Sequence, residues 1–272
     1  MTRSRTYLLT AISAVLFVLL SWIFADGLFN KNWWDSAAYS NSAIFTYLLL
    51  AIIVASGLYQ ARQLPAHGVS TEFGDVDTTP GQTEDPRFWR LLSGNAYWAL
   101  IWLPLRFFIG REWLTAGEEK LRSSAWMNGG TALKGYWTGA TAVPQTGSPK
   151  ITYGWYRDLL QYMLNHEWYT WFAKLIAVGE FLVGVGLVLG ALVAIAAFFG
   201  TVMNFSYLLA GTASSNPVLF GLSVFIILGW KVAGYWGVDR YLLPAFGAPW
   251  KAGRVFGGEG VGTKRSSRVS HA

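Results

Sequence analysis

The sequence predicts an all-α integral membrane protein: a four-helix transmembrane bundle preceded by an N-terminal transmembrane hairpin, about six spans. Three observations carry this. Only 13% of the 272 residues are charged and 53% are hydrophobic, against about 25% charged in soluble domains. Six apolar runs approach the roughly 20 residues that a helix needs to cross the hydrocarbon core. The 21 Lys and Arg residues sit mostly at the ends of those runs, the membrane pattern rather than a nucleic-acid-binding face, so no nucleic-acid partner is expected.

The first run is Tyr7 to Ala25, behind Arg3 and Arg5. It is longer than the apolar region of a signal peptide, and Ile23 with Ala25 makes a poor cleavage site, so an uncleaved helix is expected. The second run, Ser42 to Tyr59, completes a hairpin over residues 1–60. Residues 61–90 hold Pro65, Pro80, Gly81 and Pro86 among acidic and polar residues and read as a flexible acidic cytoplasmic linker. Residues 91–250 form the second membrane domain. Its first span, third in the chain, is Asn95 to Gly117.

An outer loop over 118–167 follows, rich in Trp and Tyr. Fifty structureless residues would be unusual. Trp155, Leu159, Leu160, Met163 and Leu164 recur at helical spacing, so 155–165 reads as an amphipathic interfacial helix. It serves either as simple anchoring or as a cap over a site that opens outward. The stretch Trp168 to Ala210 is 43 residues, twice a single span, so it folds back on itself with Gly190 as the hinge. The sixth run, Pro217 to Trp236, opens with proline in its first turn. The basic tail 251–272 reads as disordered.

Six spans put both termini on one side. If that side is the cytoplasm, 11 basic residues lie inside and 6 outside. This bias places the chain in the plasma membrane with both termini cytoplasmic. There is no cysteine, hence no disulfide, CxxC pair, c-type haem or thiolate-held iron–sulfur cluster. His67, His166 and His271 all lie outside the apolar runs, so neither a haem b bundle nor an HExxH metal site is evident. No Walker A or GxGxxG motif appears.

Charges within the spans need a reason, because each costs about 2.5–3.5 kcal/mol at mid-bilayer on insertion scales. Arg106 in the third span and Glu180 in the fourth reach the same depth by residue counting and are expected to pair. Asn204 lies outward of centre on the fifth span and Lys231 toward the inner end of the sixth. With Arg106 and Glu180, these are the candidates for an intramembrane polar or quinone site. Arg111, Lys120, Arg122 and Lys174 are the candidates for attracting an anion from outside. Arg106, Gly110, Trp113, Gly117 and Lys120 share one helix face. Gly110 and Gly117 there, with Gly184, Gly186 and Gly190 on the fourth span, mark close helix packing.

The run Arg106-Phe-Phe-Ile-Gly110-Arg-Glu-Trp113-Leu-Thr-Ala-Gly117-Glu-Glu-Lys120 resembles the first helix of the DoxX/DoxD membrane proteins. Gly179-Glu180 followed by Gly184, Gly186, Leu187 and Gly190 is similar to that family's second helix. The segment from Ala233 through Asp239 to Pro244 resembles its C-terminal end. The likeness covers about residues 95–250 and leaves the N-terminal hairpin unexplained. It implies a four-helix membrane bundle. Through the DoxD branch it also implies the large subunit of a thiosulfate:quinone oxidoreductase, oxidising thiosulfate to tetrathionate while quinone is reduced. Quinone would then be a substrate, and a small partner subunit would be a separate chain. The alternative is a non-enzymatic scaffold anchoring a soluble redox protein or larger complex. A small-solute transporter is a weaker third reading, because no paired inverted repeats are visible.

Overall fold

A computed structural model describes residues 1–25, 37–71 and 83–248. Twelve α-helices occur in chain order among them: α1 (Arg3–Ala25), α2 (Ala43–Gln63), α3 (Arg87–Gly94), α4 (Trp102–Arg122), α5 (Ser124–Met127), α6 (Thr131–Thr141), α7 (Gly154–Asn165), α8 (Tyr169–Leu189), α9 (Val193–Leu209), α10 (Asn216–Leu228), α11 (Trp230–Ala233) and α12 (Asp239–Ala245). Two 3₁₀ helices, Tyr39–Asn41 and Ala96–Ile101, precede α2 and α4. No strand is present among the described residues. The middle of the acidic linker and the basic tail lie outside them.

Three helices, α1, α2 and α8, are long and apolar enough to cross a membrane, which supports a membrane protein. α9 and α10 are apolar but shorter, 17 and 13 residues. The sixth apolar run is divided at Gly229 into α10 and α11. The third run is also divided. Asn95 accepts a hydrogen bond from the Tyr97 amide (2.9 Å) and starts the short 3₁₀ turn. Pro104 then sits in the first turn of α4, where its missing N–H costs nothing.

α4 is the hub. It packs against α1 and α2 on one side, α8 on another, and α10. The α1–α2 hairpin closes through a face of small residues: Thr6, Thr10, Ser13 and Ser21 are buried, and Gly57 of α2 lies directly on Thr10. Ser13 Oγ donates to the Leu100 carbonyl (3.1 Å) and Gln60 Nε2 to that of Tyr97 (3.0 Å), so the hairpin is fastened to the 3₁₀ turn before α4. At the other end Glu118 of α4 accepts from the Tyr39 and Ser40 amides (3.1 and 3.2 Å), holding the start of α2.

The α4–α8 contact is backbone against backbone. A Cβ on Gly117 would lie 2.4 Å from the Phe181 nitrogen, and one on Gly184 2.5 Å from the Leu114 nitrogen. Gly110 meets Leu187 and Val188 in the same way. This is the expected glycine seam. Gly186 instead faces Ala196 of α9.

The turn between α8 and α9 is where expected, with Gly190 left-handed (φ +70°). It is held from far along the chain. Asp239 Oδ1 and Oδ2 accept from the Leu192 and Val193 amides (2.6 and 2.9 Å), capping α9 from outside its own sequence. The Val238 and Asp239 amides donate to the Leu189 and Gly190 carbonyls (3.1 and 2.7 Å), finishing α8. Burial pushes the Asp239 carboxyl up, while the Val193 and Leu192 amides and Arg106 oppose this.

The seam generates a packing prediction. Gly117→Ala and Gly184→Ala should each cost about 1–3 kcal/mol by overpacking. Gly221→Ala, where a Cβ meets nothing within 4 Å, should be neutral or gain about 0.5–1 kcal/mol of helix stability. Thermal unfolding of the purified variants checks this. Equal shifts at all three positions would contradict a tight seam.

Candidate functional site

The glycine approach of α4 to α8 fixes the position of one buried acid. Gly117 lies against the backbone of Glu180 and Phe181, and one turn farther out Lys120 reaches back over α8. Its Nζ donates to Glu180 Oε2 (2.6 Å) and also lies over the Trp126 ring, 5.0 Å from the centroid. From α9, the Tyr207 hydroxyl donates to Glu180 Oε1 (2.6 Å). Glu180 is 1% exposed, so both carboxylate oxygens are satisfied where water cannot serve.

Asn204 is fully buried one turn before Tyr207 on α9, with neither amide atom hydrogen-bonded to the described protein. One turn before that, Gly200 faces the indole nitrogen of Trp113, which also has no partner there. The inner face of α9 is therefore polar from Tyr207 down to Gly200.

Tyr207 also faces outward, into a groove of about 750 Å³ between α8 and α9, roofed by α6 and α7. Along α8 and α9 the lining is apolar, including Leu182, Phe199 and Val202. At the roofed end stand Tyr136, Tyr156 and Tyr207. The Tyr136 hydroxyl shares a hydrogen bond with Thr212 (2.8 Å), and that of Tyr156 donates to the Ser206 carbonyl (3.0 Å). Burial pushes the Tyr136 and Tyr156 phenols up, so both stay protonated at neutral pH. The Tyr136 and Tyr207 rings meet edge to face, centroids 6.2 Å apart.

The roof is a small core of its own. Leu133 and Trp137 of α6 pack with Leu160 and Met163 of α7 and with Tyr169 and Ala173 of α8. α7 coincides with the helix expected over 155–165, whereas α5 and α6 were not anticipated.

The expected Arg106–Glu180 pair does not form. Arg106 is fully buried near the start of α4, with Nη1 donating to the Ala233 carbonyl (3.0 Å) and Nη2 to that of Trp236 (2.7 Å). Gly117, level with Glu180, is 11 residues away along α4, about 16 Å. The reason is where α4 begins: a span counted from Asn95 to Gly117 puts Arg106 at its middle, whereas α4 runs from Trp102 to Arg122 and Arg106 lies near its start.

The anion set also disperses. Arg111 is fully buried, bound to Glu112 (2.9 Å) and to Asn41 Oδ1 (2.9 Å). Arg122 pairs with Glu118 and donates to the Ala37 carbonyl (3.0 Å). Lys120 serves Glu180. Lys174 is exposed on α8, and Lys231 is exposed on α11 rather than inside the bundle. Of the intramembrane candidates, Glu180 and Asn204 share one polar region, joined by Lys120 from the anion set. Tyr207 was not singled out, and Asp239 was named only within the C-terminal resemblance. The signal for Tyr207 was its spacing of three from Asn204, which puts both on one helix face. Among the described residues no three His, Asp or Glu side chains gather as metal ligands. Among protein-family models, curated proteins and solved structures, none matches this chain.

The two separate cations are distinguishable by double-mutant cycles. Lys120→Met leaves Glu180 buried without its cation and should cost about 3 kcal/mol, much of it recovered in Lys120→Met/Glu180→Gln. Arg106→Ala should lower folded yield by orphaning the Ala233 and Trp236 carbonyls. Its effect should add to that of Glu180→Gln within about 0.5 kcal/mol. Chemical denaturation in detergent measures both cycles, and strong coupling between positions 106 and 180 would contradict the geometry.

Proposed function

We propose that this chain is the membrane subunit of a quinone-linked redox complex of the DoxX/DoxD kind. In this reading it crosses the plasma membrane about six times with both termini cytoplasmic. The observation that carries the proposal is the junction at Tyr207: an apolar groove on the outside of the bundle ends on a phenol that is hydrogen-bonded to a buried Glu180–Lys120 pair. Such a junction suits a substrate that lives in the bilayer and exchanges protons at a polar head. Tyr207 positions the head, Glu180 accepts or returns a proton through it, and Lys120 stabilises the carboxylate.

The oxidation partner in this reading is thiosulfate. Two thiosulfate ions join through a new S–S bond as tetrathionate and release two electrons, which quinone takes up with two protons. Arg111, Lys120 and Arg122 are committed to internal partners, so recognition of the anion is assigned to the small partner subunit.

The test is quinone binding and turnover by the purified full chain, alone and with co-purified partners. Tryptophan quenching should report saturable binding of a quinone analogue. Tyr207→Phe should weaken it about fivefold, one hydrogen bond's worth, and Glu180→Gln should suppress thiosulfate-dependent reduction more than binding. Absence of saturable quinone binding with and without partners would overturn the enzymatic reading and leave the membrane scaffold.

A further inference from the structure

We propose that α4, α9 and α10 enclose a water-binding site, lined by Trp113, Asn204 and Ser223, that carries the polar interior of the bundle beyond the Glu180–Lys120 pair. Its existence does not require a quinone.

Three helices each bring one polar side chain to this place. α9 buries Val193, Ala197, Gly200 and Asn204, spaced 4, 3 and 4, so they form one inner face. α10 buries Leu219, Ser223 and Ile226, spaced 4 and 3, and packs on α9 and α4. Trp113 of α4 lays its indole nitrogen on Gly200, where a Cβ would lie 3.0 Å from it. Depth along the helices agrees. Asn204 is five residues before the end of α9, and Ser223 is seven after the start of α10. At about 1.5 Å per residue, Ser223 lies between the levels of Asn204 and Gly200.

Asn204 and Ser223 are fully buried, and Trp113 is 3% exposed. Yet Asn204 Nδ2 and Oδ1, Ser223 Oγ and Trp113 Nε1 make no hydrogen bond among the described residues. Left so, each atom would keep the full cost of leaving water. Nearby groups do not relieve them. The Tyr207 hydroxyl is spent on Glu180. The Thr201 and Ser206 hydroxyls donate to the Ala197 and Val202 carbonyls (2.7 and 2.9 Å).

The donor set selects the occupant. Trp113 only donates, Ser223 donates and accepts, and Asn204 offers two protons and one acceptor oxygen. The occupant must accept from the indole and donate to the amide oxygen. An anion cannot donate, and the Glu180 carboxylate beside Tyr207, one turn away, opposes it. A metal cation cannot accept from an indole N–H. A neutral molecule with both capacities is required. Gly200 keeps it small, because the indole and Val183 already close on that position. Water fits. Gly200 and Asn204 are four residues apart, about 6 Å along α9, close to what one water spans with two hydrogen bonds of about 2.9 Å each. A buried water makes about three hydrogen bonds, one for each side chain here. Asn204 stands three residues from Tyr207, so the site lies one turn beyond the Lys120–Glu180–Tyr207 contacts and brings α10 into the same polar interior.

The test uses the full chain with isotope-labelled tryptophan in nanodiscs, the Trp113 indole signal being assigned by its loss in Trp113→Phe. Wild type should show a dipolar NMR cross-peak between the Trp113 indole proton and water, and Ser223→Ala should keep it. Absence of the cross-peak from wild type would overturn the proposal. Its loss in Ser223→Ala would trace it to the serine hydroxyl and do the same, as would a cross-peak at the frequency of another small molecule. Thermal unfolding adds a check of opposite sign. With water bound, Asn204→Leu and Ser223→Ala should each lower the unfolding temperature by about 2–5 °C. The double variant should fall by clearly less than the sum, because both changes act through one water. Were the side chains orphaned instead, each replacement would remove a burial cost and raise the temperature, which would overturn the proposal. Additive losses would also overturn it, since no common occupant would then join α9 to α10. Should Asn204→Leu not fold, the sign of the Ser223→Ala shift and its cross-peak decide.

Discussion

The arrangement of this bundle depends on placing a charged helix at its centre. Seven of the 21 residues of α4 are charged, yet Arg106 and Arg111 are fully buried. A charge so placed is tolerated only with a partner supplied from elsewhere, and three segments packed against α4 supply one. The segment before α2 gives Asn41 to Arg111 and takes Glu118 for its own amides. The end of α11 and the turn after it give two carbonyls to Arg106, those of Ala233 and Trp236. α8 gives Glu180 to Lys120. Several of the polar contacts around α4, including the one that places the candidate site, are thus answers to one demand.

This frame separates charges that hold the bundle from charges that face a site. Arg106 and Arg111 are enclosed by carbonyls, an amide and a carboxylate of the chain, and the exposed Arg122 is spent on Glu118 and the Ala37 carbonyl. The Glu180–Lys120 pair differs because Tyr207 links it to a groove that reaches the outside of the bundle. The glycine seam is what makes that link possible. Only where α4 and α8 touch backbone to backbone can a lysine on one reach back to an acid on the other while α9 closes from behind.

Features set by local chemistry were legible in the sequence. The spacing of Trp155, Leu159, Leu160 and Met163 placed α7 within a residue, Gly190 marked the inner turn, and Gly110, Gly117 and Gly184 marked the seam. Partners set by register were not. Reading 95–117 as one continuous helix centred on Arg106 misplaced it by about three turns relative to Glu180 and paired it with an acid it does not meet. Pro104 was the overlooked sign, since proline belongs in a helix's first turn. Asp239 was illegible for a different reason: it caps a helix that begins 46 residues earlier, and no local pattern announces a cap acting at such a distance. The groove was hidden too, because it depends on α6, an element whose Gly, Thr and Trp give little helical periodicity.

The end of the bundle that holds Arg106 and Asp239 also sets an order of events during synthesis. Arg106 leaves the ribosome 127 and 130 residues before the carbonyls that receive it, and α9 is made before the aspartate that caps it. At about 5–20 residues per second, this leaves the guanidinium without its final partners for on the order of ten seconds. α1 and α2 can pack on each other early, because the Thr10–Gly57 contact between them lies within the first sixty residues. The α8–α9 turn stays unlatched until the last helix emerges, so a chain stopped just short of Asp239 would hold nearly every helix and lack the cap on α9.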